Sequence, residues 1–281
     1  MADLTAMPVK RPPPSFEPSD EPPCDRYVLC DRVPCGDDDE CYVAMLPGMA
    51  GYRVYLFLRR FPAKRLDEPT FERFKRIARV NGSGIEQFFE LSRATDHPFV
   101  ASELVEGIGL GQLDARLAAD GQRLPWEVAL ALLFDATDRI RQLRAADALH
   151  GGITPARLRL AATGKLVLCH GVPATDASWM QALYAVVRPI LRLAATEPER
   201  KLLDGVLDDA DSTDGLVVAS DALVVRHPEL DLVLPALFQA LVNDEAPARE
   251  RVRAMLAERL DPAAVRQLWA IVRDAVGDDP H

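Results

Sequence analysis

Leu149 to Val172 reads LHGGITPARLRLAATGKLVLCHGV. A short loop leads into a strand ending near Leu160, Thr163 and Gly164 supply a turn, and Lys165 to Leu168 make a second strand. Residues beyond the strand ends (His150, Gly152, Arg157, Cys169, His170 and Gly171) then gather at one spot. A cluster of that kind, held by a rigid strand pair, is where chemistry is usually placed.

Working outward, residues 1–24 carry Pro8, Pro12, Pro13, Pro14, Pro18, Pro22 and Pro23 with few apolar residues. That composition predicts a disordered proline-rich tail. YVLCDRV and ECYVAML then form a hairpin about an acidic turn, and Gly51 to Phe61, GYRVYLFLRRF, makes a third strand. Asp67 to Val80 reads as a helix with Phe71, Phe74, Ile77 and Ala78 at helical spacing. IEQFFELS and HPFVASELVE are two further strands. Residues 25–106 are thus a small lobe of five strands and one helix.

Residues 107–281 read as a mainly helical lobe. Gly107 to Gly111 is expected to be a flexible joint, followed by a short helix over Leu113 to Ala119. Pro125 suits the first turn of a long helix to about Ala146, with Val128, Leu132, Ala136 and Ile140 along one face. Trp179 to Ala194 reads as a buried helix despite Pro189, and Glu197 to Asp208 as another. Gly215 to Arg226 fits strand or helix. Leu230 to Leu241, Pro247 to Leu260 and Pro262 to Val276 read as three closing helices, a divergent ending from about residue 229.

The chain has 281 residues, 48% hydrophobic and 27% charged, with a formal net charge of −10. That balance argues against nucleic acid or an anionic membrane as partner. No apolar run approaches the roughly 18 residues needed to span a bilayer, and the first residues lack the apolar core of a secretion signal. The expected location is the cytoplasm. Cys24, Cys30, Cys35 and Cys41 are spaced by six, five and six residues, unlike the paired cysteines of zinc sites, and Cys169 stands apart. Reduced strand and hairpin cysteines are expected, and no metal site.

The order of these segments resembles a bacterial serine/threonine protein kinase. RYVLCDRVPCGDDDECYVAML looks like the first hairpin with its phosphate-covering glycine loop, and RVYLFLRRF like the third strand, which normally carries a phosphate-holding lysine. GSGIEQFFEL and PFVASELVEGIGLGQL look like the fourth and fifth strands and the hinge, with Glu103 and Val105 at hinge positions. LPWEVALALLFDATDRIRQLRAADALHGGITPARLRL looks like the long helix running into the catalytic loop. The similarity covers roughly residues 26–172. It implies an α+β, two-lobed fold with a truncated or divergent helical lobe.

Most of the chemical positions differ from the family pattern. The three loop glycines fall on Pro34, Gly36 and Asp39, in a turn whose tip holds Asp37 and Asp38. Proline has no amide hydrogen to donate, and the carboxylates would repel phosphates. The lysine falls on Arg59, or on Leu58 after a one-residue slip, and Ile77 stands where the helix glutamate would pair with it. His150 keeps the structural histidine. The proton-accepting aspartate falls on Gly152, the metal-holding asparagine on Arg157, and the magnesium-binding aspartate on Cys169, followed by His170 and Gly171. Phosphoryl transfer depends on positioning and charge neutralisation, so these losses together imply a pseudokinase with no catalytic residues, no metal and no cofactor.

Cys169 and His170 could instead form a metal pair or an activated thiol. Adjacent strand residues point to opposite sides, however, and no acidic third member is evident. Asp37, Asp38 and Asp39 could hold a cation, though an exposed acidic turn explains them as well. Arg157 and Arg59 would reach the cleft that the acidic turn covers, so arginine–carboxylate pairs could fill the space of a metal–nucleotide complex. The function these readings imply is protein binding, as a scaffold or allosteric regulator in bacterial signalling, with weak or absent ATP binding. The alternatives are a nucleotide-binding sensor without phosphotransfer or, ranked lower, an active transferase on a kinase fold. The proline-rich tail and the closing helices are the expected binding surfaces.

Overall fold

The structure is a computed structural model. It describes residues 18, 23–33, 40–48, 53–62, 66–80, 84–93, 97–148, 150–151, 153–161, 165–169, 172–173, 179–208, 213–237, 246–266, 268 and 270. The proline-rich tail, apart from residues 18 and 23–24, and the acidic turn at 34–39 lie outside them.

Strands β1 (Val28–Val33), β2 (Glu40–Pro47), β3 (Arg53–Arg60), β4 (Phe88–Ser92) and β5 (Phe99–Glu103) form one antiparallel sheet in the order β1-β2-β3-β5-β4. Period-two alternation sorts its side chains. Tyr42 faces Leu58, Ala44 faces Leu56, and Leu58 faces Ala101. These residues join Tyr27, Leu29 and Phe99 in one buried cluster. The other face holds Phe61 and Val100, and helix α1 (Glu68–Ala78) lays Phe74 against them.

The α1 helix begins where it does because Asp67 caps it, its carboxylate accepting the Thr70 amide at 2.9 Å. Pro69 is tolerated in the first turn because its missing N–H has no helical partner there.

Residues 107–109 are not a joint. Gly107–Gly109 forms β6, paired with β8 (Leu158–Ala161), and helix α2 (Leu110–Ala119) starts at once. A Cβ on Gly107 would stand 2.4 Å from the Leu160 carbonyl oxygen. The glycine is therefore required by close strand approach rather than by a need to flex.

The helical lobe is built on α3 (Trp126–Ala145) packed against α4 (Trp179–Ala194). The predicted face of α3 is buried, and Ala129, Leu130, Leu133, Phe134 and Leu143 are buried too, so the helix is enclosed well beyond one stripe. Pro189 lies inside α4 and is buried. Helix α5 (Glu197–Asp208) follows, and the ambiguous stretch becomes helix α6 (Thr213–Arg226). The choice follows from burial: Leu216, Ala219, Ser220 and Leu223 are inside at helical spacing, while Val217, Val218 and Val225 are exposed.

All three predicted closing spans hold helical residues. A 3-10 turn at Pro228–Leu230 precedes helical residues 233–237. Helix α7 runs Ala246–Arg259, and residues 262–266, 268 and 270 are helical. Residues 238–245 and 271–281 lie outside the described residues. No helix among the described residues is long and apolar enough to cross a membrane.

The lobes meet through backbone. Leu168 donates its amide to the Gly84 carbonyl and accepts the Glu86 amide, each at 3.0 Å, and Ile85 pairs with Leu168 as an isolated parallel bridge. Gly84 has φ +109°, and a Cβ there would collide with Arg139 at 2.2 Å. Ile77 and Ile85 of the small lobe are part of the main helical core, and Arg76 forms an ion pair with Asp147.

Candidate functional site

Strand β9 (Leu166–Leu168) pairs antiparallel with β8, with Leu158 opposite Leu168. That register brings the next residues out of the pair together, and the Cys169 amide donates to the Arg157 carbonyl at 2.8 Å. Two of the predicted positions are therefore neighbours. His150 and Gly151 form a separate short strand, β7, paired with β10 (Val172–Pro173). Gly152, His170 and Gly171 lie outside the described residues, as do Pro34, Gly36, Asp37, Asp38 and Asp39.

Cys169 is 1% exposed and packs with Ala161, Val167 and Val105. Its Sγ lies 3.8 Å from the Val167 carbonyl oxygen. Burial pushes the thiol well above its ordinary value, Glu86 and Glu103 push the same way, and Arg159 opposes them. A thiol held protonated is a poor metal ligand and a poor nucleophile. Arg157 is buried beside it at 8% exposure.

On β3, Arg59 and Leu58 point to opposite faces. Leu58 belongs to the cluster around Tyr27 and Tyr42. Arg59 pairs with Val100 in register, on the α1 side, and its guanidinium carbon lies 5.2 Å from the Phe61 ring centroid. It is buried, at 3% exposure. Ile77, from α1, is an apolar core residue at 2% exposure and presents no carboxylate to it. Glu103, exposed at the end of β5, donates its amide to the Gln87 carbonyl at 2.8 Å.

Two residues of the site escaped the sequence reading. Glu86 is a carboxylate at 4% exposure, and the Ser102 hydroxyl donates to it. Arg159, in the middle of β8, donates to the Gly107 carbonyl across the strand pair. The signal for both was a charge inside a strand run, at IEQFF and RLRL, which a solvated strand face also produces.

Among the described cysteines, Cys24, Cys30 and Cys169 are free thiols, all buried. Cys41 is disulfide-bonded, against the expectation of reduced hairpin cysteines. Among the described residues, no group of three His, Cys, Asp or Glu is placed to hold a metal ion.

No family model matches the chain, and no curated protein matches it. Solved structures of the kinase domain of Mycobacterium tuberculosis PknI are similar to it. Two of them align at 20% and 19% identity with a TM-score of 0.49, covering 65% of this chain and 85% of that one. The element order of the chain itself, a five-stranded antiparallel lobe with one helix followed by a mainly helical lobe, is that of a two-lobed protein-kinase-like fold.

Proposed function

We propose that this chain is a catalytically inactive kinase-like domain, a pseudokinase, whose work is to bind another protein as a scaffold or allosteric regulator in bacterial signalling. The observation that carries the reading is Cys169, a thiol at 1% exposure packed among Val105, Ala161 and Val167, where the family resemblance expects a magnesium-binding aspartate. Its neighbour Arg157, where that resemblance expects a metal-holding asparagine, supplies positive charge and no ligand. Arg59 is buried and stacked on Phe61, and with Arg157 and Cys169 at the two metal-ligand positions of the resemblance a transferred phosphoryl group lacks its usual charge neutralisation. Ile77, where the resemblance expects a glutamate, presents no carboxylate.

The test is thermal unfolding with ATP and magnesium. A ligand present at about a hundred times its Kd would add about 2.7 kcal/mol of stability. The expected outcome is no saturable rise in Tm. A clear, saturable rise would favour a nucleotide sensor, and phosphate transfer on top of it would overturn the pseudokinase reading altogether.

A further inference from the structure

Helix α6 buries Leu216, Ala219 and Leu223 in the main helical core and turns its other side to solvent. Of the six large hydrophobic side chains most open to solvent among the described residues, three (Val217, Val218 and Val225) lie on this helix, so its outer side is no ordinary polar face. Val218 is 53% exposed and Val225 82%. Valine is a costly residue for such a position, because its branched Cβ loses rotamer freedom against the preceding turn. At 82% exposure Val225 gains little packing within the chain to offset that loss.

Val218 and Val225 stand seven residues apart, which places them on one line along the helix, with the half-buried Ala222 between them. Asp221 flanks this line on one side and Arg226 on the other. Both are exposed, and neither forms an ion pair among the described residues.

The flanks select the occupant. When two copies of a helix lie parallel about a two-fold axis, seam residues meet their own counterparts. A residue on one flank then meets the residue five positions later on the opposite flank of the other copy. Asp221 and Arg226 are five positions apart. Each Asp221 therefore faces Arg226 of the other copy, twice over by symmetry, while Val218 meets Val218 and Val225 meets Val225. An antiparallel pair would instead set Asp221 against Asp221 and Arg226 against Arg226. A net charge of −10 works against contact between two copies, so association needs a place where opposite charges meet. This face supplies one.

We infer that the outer face of α6 is a self-association surface, on which a second copy of the chain packs its own α6 in parallel. The inference goes beyond the function proposed above and does not depend on what the cleft binds. A seam of about two turns is a small interface, so the dimer is weak, with a Kd of about 10 to 100 μM.

The experiment is sedimentation equilibrium on the full chain between about 5 and about 300 μM, where a dimer of that affinity emerges within the range. Val225→Lys is expected to weaken it at least about tenfold, because two charges then meet at the seam. Phe89→Lys, at an exposed position on β4, should leave it unchanged. Arg226→Asp and Asp221→Arg should each weaken self-association, since each sets like charges across the seam. Mixed in equal amounts, the two variants should recover it, because both flanks then carry opposite charges. Circular dichroism on each variant separates lost association from lost folding. Should a charge variant fail to fold, the contrast between Val225→Lys and Phe89→Lys decides. A chain that stays monomeric over the whole range would leave the face to a different protein and overturn the inference. So would an unchanged dimer in Val225→Lys, equal loss in Phe89→Lys, or a mixture that associates no better than its parts.

Discussion

The corner where α5 meets α6 and the positions beyond β8 and β9 both bury polar groups, yet they are built in different ways. At the corner, Glu199 is 3% exposed and accepts the Thr196 amide at 2.6 Å and the Thr196 hydroxyl at 2.7 Å. His227 Nε2 lies 2.6 Å from its other oxygen, and the imidazole rests 5.2 Å from the Trp126 ring centroid. The carboxylate is enclosed by donors that match it. Beyond the strands, Cys169 meets a carbonyl and two acidic neighbours, a setting that disfavours negative charge. One site stabilises an anion, and the other excludes one. Burial by itself therefore says little about chemistry; the donors around a buried group decide what charge it can carry.

The sharpest way to break this comparison is to place an anion in the second site. Cys169→Asp is expected to cost about 4 kcal/mol, as a carboxylate buried beside Glu86 and Glu103 does even with Arg159 near, with Cys169→Ser as the size control. Urea denaturation measures it. Recovery of that loss by millimolar magnesium would show that the cleft retains a metal seat, and the contrast between the sites would collapse.

Removing the anion from the first site comes next. Glu199→Ala is expected to cost about 3 kcal/mol, because the Thr196 amide and His227 lose a charged partner. Its pH dependence sharpens the point. Burial raises the Glu199 carboxyl, but the Thr196 and His227 hydrogen bonds outweigh burial and hold it below its ordinary value of 4.5. The stability it contributes is present above that value and lost as pH falls through the lower folded one. The gap in stability between the natural protein and Glu199→Gln should accordingly narrow on acidification from about pH 6 to about pH 3. A gap that stays constant over that range would show that the charge contributes nothing.

The smallest effect tests an exposed counterpart of the same principle. Asp67 accepts an amide at the start of α1, and hydrogen bonds from Thr70 hold its carboxyl below the ordinary range. Asp67→Ala should lower the urea midpoint, as loss of an N-cap does, and by less than Glu199→Ala. A cost as large as that of Glu199→Ala would mean that enclosure adds nothing to a carboxylate–amide contact.

Much of the fold was legible in the chain. Strands such as ECYVAML and RVYLFLRR alternate sharply enough for period two to show, and α3 and α4 carry apolar residues at helical spacing across many turns. The errors have local causes. Gly107 and Gly109 look like freedom in one dimension, whereas in three they mark the close pairing of β6 with β8. In GLVVASDALVVR the valines favour a strand by propensity, and the packing of Leu216, Ala219 and Leu223 against the core overrides it. Within the candidate site, the pairing of β8 with β9 was readable, and with it the adjacency of Arg157 and Cys169. Glu86 and Arg159 were not, because a charge in a strand reads the same whether its face meets water or a buried cleft.

The sequence by itself determined most of the order of strands and helices, β6 and α6 apart, since periodicity is a local property that each segment carries. It also determined which residue types stand at the positions resembling a catalytic centre. The tertiary structure alone decided that Arg59 rather than Leu58 shares the α1 face, that Cys169 is sealed among Val105, Ala161 and Val167, and that Arg144 meets Trp179 beside α7. Those contacts join residues far apart in the chain, and only the packing that buries the apolar faces together brings them into reach.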